Sequence, residues 1–343
     1  MLLRTTLLIS SICLAISGGC GSDGGSPGTD GGAAGDGGGD IDAPAGSYTV
    51  TWGPHTVQAG EEDTLCVTKK LGNTDTLHIG AIHNVLGEVS HHFIVYRVNS
   101  DQAERPEPYA CQPFSDMLNP AGGVPLMITQ KYDETLTLPD GVAFTIQPNQ
   151  TIRMELHFIN TGDAAKDVMA TSTFIPINDS DFQNEADFLF IGNPDINLPP
   201  GPGSLGPTYF PMPSDLNGSN FFAITGHEHQ WGTDVQVAVT DGPGGTDTNV
   251  YHPPNFNWDE PDTVFHDPPF QVPNGGGFRF TCEWNNQSGS TVSFGEGAND
   301  EMCFFWVYYY PSKGAKVCIH TDQIGSTNLC CPDPNNSLCN ALF

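Results

Sequence analysis

Basic side chains are scarce in this chain: 11 Lys and Arg stand against 40 Asp and Glu, a formal charge of −29. With no basic field to meet phosphates, nucleic acid is excluded as a partner. Long stretches of helical period are also missing, which argues against a helical bundle. No apolar run is long enough to span a bilayer; the longest candidate, 5–16, is too short. The CxxC pairs of a zinc ribbon are absent as well.

What is present is glycine, proline and β-branched or aromatic runs. The chain has 40 Gly and 28 Pro in 343 residues, and short segments rich in Val, Ile, Phe, Tyr and Thr lie between them. Many short strands joined by turns are expected, in a chain long enough for two domains with cores of their own. The segment 151–159, TIRMELHFI, alternates. Ile152, Met154, Leu156 and Phe158 form a core face and Arg153, Glu155 and His157 the opposite, polar one, as in a sandwich sheet. Residues 195–207, DINLPPGPGSLGP, read as a boundary, because Pro and Gly at that density stop strands.

The N-terminus reads as targeting sequence. Arg4 precedes the apolar run 5–16, and Ser17-Gly18-Gly19-Cys20 resembles a bacterial lipoprotein cleavage site. Residues 1–20 are then a signal peptide, and lipid on Cys20 is the chain's one link to a membrane, at the periplasmic or cell-surface side. Plain secretion is the alternative. Residues 21–46, Gly- and Asp-rich, are expected to form a disordered tether. Of ten cysteines, Cys13 leaves with the signal and Cys20 carries lipid. The other eight, an even number in an exported chain, read as disulfides.

The stretch with the most chemistry is 221–232, FFAITGHEHQWG. His227 and His229 lie two apart on a strand-like run, so both imidazoles face one way and can close on one ion. His91-His92 are adjacent, and neighbours on a strand reach one side only at a strand end or bulge. Residues 87–90 before them allow that; one surface and one semi-buried histidine is the plainer reading. His157 alone is compatible with an ordinary face histidine. Met302 would be core filler in most settings, but a thioether is a good ligand for cuprous copper and a poor one for zinc, calcium or magnesium. Two histidines with Met302 therefore select copper; three histidines suit copper or zinc.

Four segments in this order, SHHFIVYR, MELHFIN, GHEHQWG and GEGANDEMCFFWVYYYP, resemble the copper type II, ascorbate-dependent monooxygenases, over about residues 47–318. The resemblance implies an all-β chain of two tandem jelly-roll β-sandwich domains, 47–195 and 196–320, facing across a water-filled cleft, with a Cys-rich tail at 321–343. It implies two copper ions per chain. One is held by His91, His92 and His157 and stores an electron; the other is held by His227, His229 and Met302 and meets dioxygen. The implied reaction hydroxylates a C–H bond of a small-molecule substrate with dioxygen and ascorbate or another one-electron reductant. The resemblance also implies Cys66–Cys111 and Cys282–Cys303 bridges, leaving three connectivities for Cys318, Cys330, Cys331 and Cys339.

The substrate pocket departs from the peptide-hydroxylating members. Thr225 stands where they have a basic residue, and Phe304 and Trp306 stand where they have Asn and Tyr. By alternation Met302, Phe304 and Trp306 share a face, and Glu155 shares one with His157. An aromatic pocket with one carboxylate suits a neutral or cationic substrate with an aromatic or aliphatic body. Ordinary core packing is the other reading of Phe304 and Trp306. Two rival functions remain: an exported copper-carrier lipoprotein without oxygenase activity, and a merely structural sandwich.

Overall fold

A computed structural model describes residues 44–98, 102–111, 123–295, 297, 299–332 and 339. The signal peptide, Cys20 and most of the tether lie outside the described residues. Among the described residues no helix is long and apolar enough to cross a membrane. The described residues form one compact unit.

The fold is all-β, in two sandwiches. The first packs a sheet ordered Tyr48–Val57, Lys166–Ile177, Leu77–Leu86, Val142–Ile146, Asn184–Glu185, with Asp133–Thr137 also on Leu77–Leu86. Its other sheet is ordered Arg105–Ala110, Glu62–Lys70, Thr151–Ile159, Ser90–Val98, Val124–Thr129. Ile152, Met154, Leu156 and Phe158 enter the core between them, as the alternation requires. The opposite face is not open to water: Arg153, Glu155 and His157 are buried too.

The second sandwich has a six-stranded sheet, Thr263–Phe270, Asn220–His227, Phe304–Tyr310, Asp187–Gly192, Lys316–Thr321, Thr327–Cys331. It packs on the four-stranded sheet Gly201–Pro211, Gly277–Asn286, Gly232–Thr240, Asp247–Tyr251. The sequence 304–310, FFWVYYY, is apolar at every position because this sheet is covered on both faces. Phe305, Val307 and Tyr309 point into the core of the second sandwich. Phe304, Trp306 and Tyr308 belong instead to the core that continues into the first. The Tyr308 hydroxyl receives the Ile128 N–H at 3.3 Å, across the boundary. Along this stretch the facing sandwiches touch through packed side chains, where the resemblance implies a water-filled gap.

Two boundaries differ from the sequence reading. The Asp187–Gly192 strand, assigned to the first domain by a division at 195, pairs with Phe304–Tyr310 and Lys316–Thr321 in the second sandwich. The Pro- and Gly-rich stretch supplies a strand, Gly201–Pro211, which among the described residues pairs only with Gly277–Asn286. An edge strand tolerates proline because one side of its backbone needs no ladder partner, and the register shifts between Leu205 and Thr208, around Pro207.

Among the described residues four disulfides form: Cys66–Cys111, Cys282–Cys303, Cys318–Cys330 and Cys331–Cys339. Cys318 and Cys330 are opposite each other in register, so the start of the tail is a strand added to the sheet rather than a separate appendage. Four bridges suit an exported protein in an oxidising environment.

Gly192 sits opposite Phe304, and a Cβ there would come within 1.9 Å of the Phe304 ring. Gly192→Ala must displace that ring or the strand, and is expected to destabilise by about 1–3 kcal/mol, as overpacking does. Chemical denaturation checks this; an unchanged midpoint would mean that Phe304 is free to move.

Candidate metal centre

The first histidine group is built on two adjacent strands. His92 and His157 lie opposite each other, their ring centroids 4.9 Å apart. The ladder shifts between Ser90 and His92, and Val89 just before has φ +62°. A β-branched residue in that region is strained. This irregularity brings His91 to the same side, 5.3 Å from His157 and 5.6 Å from His92 by ring centroids. One ring nitrogen from each of His91, His92 and His157 lies within 4.8 Å of the other two, and all three rings are buried.

In the second sandwich His227 ends the Asn220–His227 strand and His229 follows two residues on, with ring centroids 5.1 Å apart. His227 pairs with Phe304, and Thr225 with Trp306, so these four side chains share a face. The ladder ends at that His227–Phe304 pair, and beyond it the N–H groups of His229 and Met302 both reach Glu301 Oε2, at 2.9 and 3.3 Å. Met302 is 4% exposed and lies in the core shared with the first sandwich.

Four of the five histidines are held in the manner that metal ligands require. His157 Nε2 meets Glu62 Oε1 at 3.1 Å, His91 Nδ1 meets Asp259 Oδ1 at 3.3 Å, and His229 Nδ1 meets the Asp300 carbonyl at 3.1 Å. His227 Nδ1 meets Gln130 Oε1 at 2.9 Å. Each acceptor places the ring N–H on the bonded nitrogen and leaves the other as a bare lone pair. Nδ1 of His157 and Nε2 of His227 are buried without a hydrogen-bond partner among the described residues. Lone pairs buried in this way are what a cation would satisfy. Met302 shares the Glu301 carboxylate with His229 through its backbone, and imidazoles together with a thioether are a donor set that suits copper.

Burial also keeps four of the rings, those of His92, His157, His227 and His229, neutral. It takes His92 and His227 well below the ordinary histidine range, helped by the surrounding imidazoles. It brings His157 and His229 down to about 4. An unfolded histidine titrates near 6.5. As pH falls from about 6.5 towards 4, the unfolded chain takes up protons that the folded chain refuses, so stability falls. Glu301, raised to about 6 by burial, Glu228, raised well above its usual range, and Glu134 and Asp187, raised less, work in the opposite direction. Four histidines outweigh them: the copper-free protein should melt at a lower temperature at pH 5 than at pH 7, and an equal or higher melting temperature at pH 5 would show that the rings are solvated.

Two residues that the sequence did not single out shape the second group. Glu301, adjacent to Met302, is fully buried and accepts the N–H groups of His229 at 2.9 Å, Trp231 at 2.8 Å and Met302 at 3.3 Å, and the Trp284 indole at 2.9 Å. It ties the HEHQW turn to the Met302 segment. Its place in DEMC was the available signal. Gln130 carries no local signal, since its role exists only across the two sandwiches.

The remaining candidates are placed as follows. Thr225 Oγ1 hydrogen-bonds Thr263 at 2.9 Å, and Thr263 donates to Glu134 at 2.7 Å. Phe304 and Trp306 stack on Phe190, with centroids at 5.0 and 6.4 Å, and the Trp306 ring lies 6.0 Å from His227. Glu155 is 1% exposed and accepts the Tyr96 hydroxyl at 3.0 Å, so its carboxylate faces protein rather than a pocket. Its nearness to Cys66 and Cys111 makes no metal site, because those sulfurs are bonded to each other. His78, His83, His252, His266 and His320 find aromatic, carboxylate, carbonyl or amide partners elsewhere.

Residues 208–328, about a third of the chain, match the family model described as copper type II ascorbate-dependent monooxygenase, C-terminal domain. That span contains His227, His229 and Met302. The match supports an oxidoreductase of the general monooxygenase kind, from a family that depends on copper and ascorbate. No curated protein matches the chain. Among solved structures, the major capsid protein P2 of bacteriophage PM2 is similar at 12% identity and TM-score 0.34, over 77% of this chain and 97% of that one. A structure of infectious bursal disease virus, Gx strain, is similar at 9% identity and TM-score 0.20, over 78% of this chain and 71% of that one.

Proposed function

We propose that this protein is a copper-dependent monooxygenase that hydroxylates a C–H bond of a small organic substrate, using dioxygen and ascorbate or another one-electron reductant. The observation that carries the reading is the set of five buried imidazoles in two groups, four of them fixed through one nitrogen, with Nδ1 of His157 and Nε2 of His227 left without a hydrogen-bond partner among the described residues. His91, His92 and His157 would hold one copper, and His227, His229 and Met302 the other. Copper supplies one-electron redox chemistry and the activation of dioxygen. One oxygen atom enters the substrate as hydroxyl and the other leaves as water, with two electrons from the reductant and two protons from solvent.

The chain's own residues do the rest. Neutral nitrogens and the soft Met302 sulfur favour the reduced ion over the oxidised one. Burial keeps water away from the reacting groups. Phe304, Trp306 and Phe190, buried in the core shared with the first sandwich, form a closed aromatic wall on the Met302 side rather than the lining of an open pocket. With Glu155 engaged by Tyr96, nothing in that wall favours a charged anchor, and a substrate with an apolar body fits best. The mature chain would be exported and tethered to a membrane surface by lipid on Cys20.

A screen of candidate substrates with copper-loaded protein and reductant, read as a mass gain of one oxygen atom, tests the activity. Apolar aromatic or aliphatic compounds should turn over faster than glycine-extended peptides; the reverse order contradicts the substrate class. Copper binding without substrate-dependent dioxygen uptake would make the protein a copper carrier.

A further inference from the structure

Two of the four histidine supports come from the same sandwich as the ring they hold: Glu62 for His157 and Asp300 for His229. The other two cross over. Gln130, which follows the Val124–Thr129 strand of the first sandwich, holds His227 of the second at 2.9 Å. Asp259, between the Asp247–Tyr251 and Thr263–Phe270 strands of the second sandwich, holds His91 of the first at 3.3 Å.

The two crossings form one structure. Gln130 Nε2 donates to the Trp258 carbonyl at 3.4 Å, which turns Gln130 Oε1 towards His227. The Trp258 ring packs against His91, centroids 5.6 Å apart. Lys131 pairs with Asp262 at 2.5 Å at the other end of the same segment. Residues 258–262 thus strap the second sandwich onto the first histidine group.

We infer that Gln130 and Asp259 are reciprocal positioning residues, each fixing a histidine of the opposite sandwich, so that each proposed copper site is complete only when the sandwiches are docked. The inference rests on the copper reading above. Its physical content is linkage: a support that exists only in the docked arrangement makes metal affinity at each site depend on docking. The two supports differ in strength. Gln130 is 6% exposed, whereas the Asp259 side chain is 59% exposed and its bond is longer and better screened by water.

The test is cuprous-ion affinity of the full-length chain, measured against a competing chelator. His92→Ala isolates the second site and His227→Ala the first, with His→Gln at the same positions if an alanine variant does not fold. With only the second site active, Gln130→Ala should weaken copper binding about tenfold or more, the range for lost outer partners of a ligand. With only the first site active, Asp259→Ala should weaken it a few-fold, and Asp259→Asn, which keeps an acceptor oxygen, should lose less. This crossed pattern supports the inference. Affinities unchanged within about twofold, or lowered equally at both sites, would overturn it, since loss of packing alone has no reason to cross over. If the unmutated chain binds no copper, the copper reading falls and the inference with it; if it binds copper without the crossed pattern, only the inference falls.

Discussion

Met302→Leu should leave the fold intact and abolish reductant-dependent dioxygen uptake. Leucine nearly matches methionine in volume, and such exchanges in a core cost less than about 1.5 kcal/mol. The melting temperature should therefore barely move. The thioether, however, is the one soft donor in the ligand set proposed with His227 and His229, and without it that set loses its preference for cuprous copper. A drop in uptake of more than about a hundredfold is expected, beyond the range for outer partners. Met302→Ala should lose the same activity and also about 2–5 kcal/mol of stability, because Met302 is 4% exposed and its removal leaves a void. Uptake within a few-fold of the unmutated protein in the leucine variant would show that the sulfur is core filler.

Glu301→Ala should be the most damaging single change to stability near the site. It strands the backbone N–H groups of His229, Trp231 and Met302 and the Trp284 indole at one stroke. Each buried donor left without an acceptor costs about 1–3 kcal/mol, not additively, so a loss of about 4 kcal/mol or more is expected. That corresponds to a fall in melting temperature of about 10 °C. Glu301→Gln should be milder, since an amide oxygen in the Oε2 position still serves three donors and only the Trp231 N–H is confronted by the amide nitrogen. In both variants copper should be lost from the second site and retained by the first. Thermal melts and copper counts check this. Equal melting temperatures for Glu301→Ala and the unmutated protein would mean that water replaces the carboxylate.

Local pattern accounts for what the sequence made legible. Period-two alternation in 151–159 predicted which side chains enter the core, and Ile152, Met154, Leu156 and Phe158 do. The i, i+2 spacing of His227 and His229 predicted a shared face, and a strand-end irregularity was needed to bring His91 beside His92; the register shift and Val89 supply it. What stayed hidden is set by partners far away in sequence. The all-apolar run 304–310 does not say that its second face meets another sandwich. Alternation puts Glu155 on the polar face with His157, but a face can be polar and still be covered, and Tyr96 donates to its carboxylate. The proline-rich segment was read as a break because proline stops central strands; an edge position relaxes that rule. Gln130 and Asp259 have no pattern to read, since each matters only through a histidine about a hundred or more residues away.

Counting bound copper tests the central claim most directly. After loading with cuprous ion and removal of excess, elemental analysis should find close to two copper ions per unmutated chain, close to one in His92→Ala and in His227→Ala, and none in the double variant. A count that stays the same when either histidine is removed, or no tightly held copper in the unmutated chain, would contradict the account.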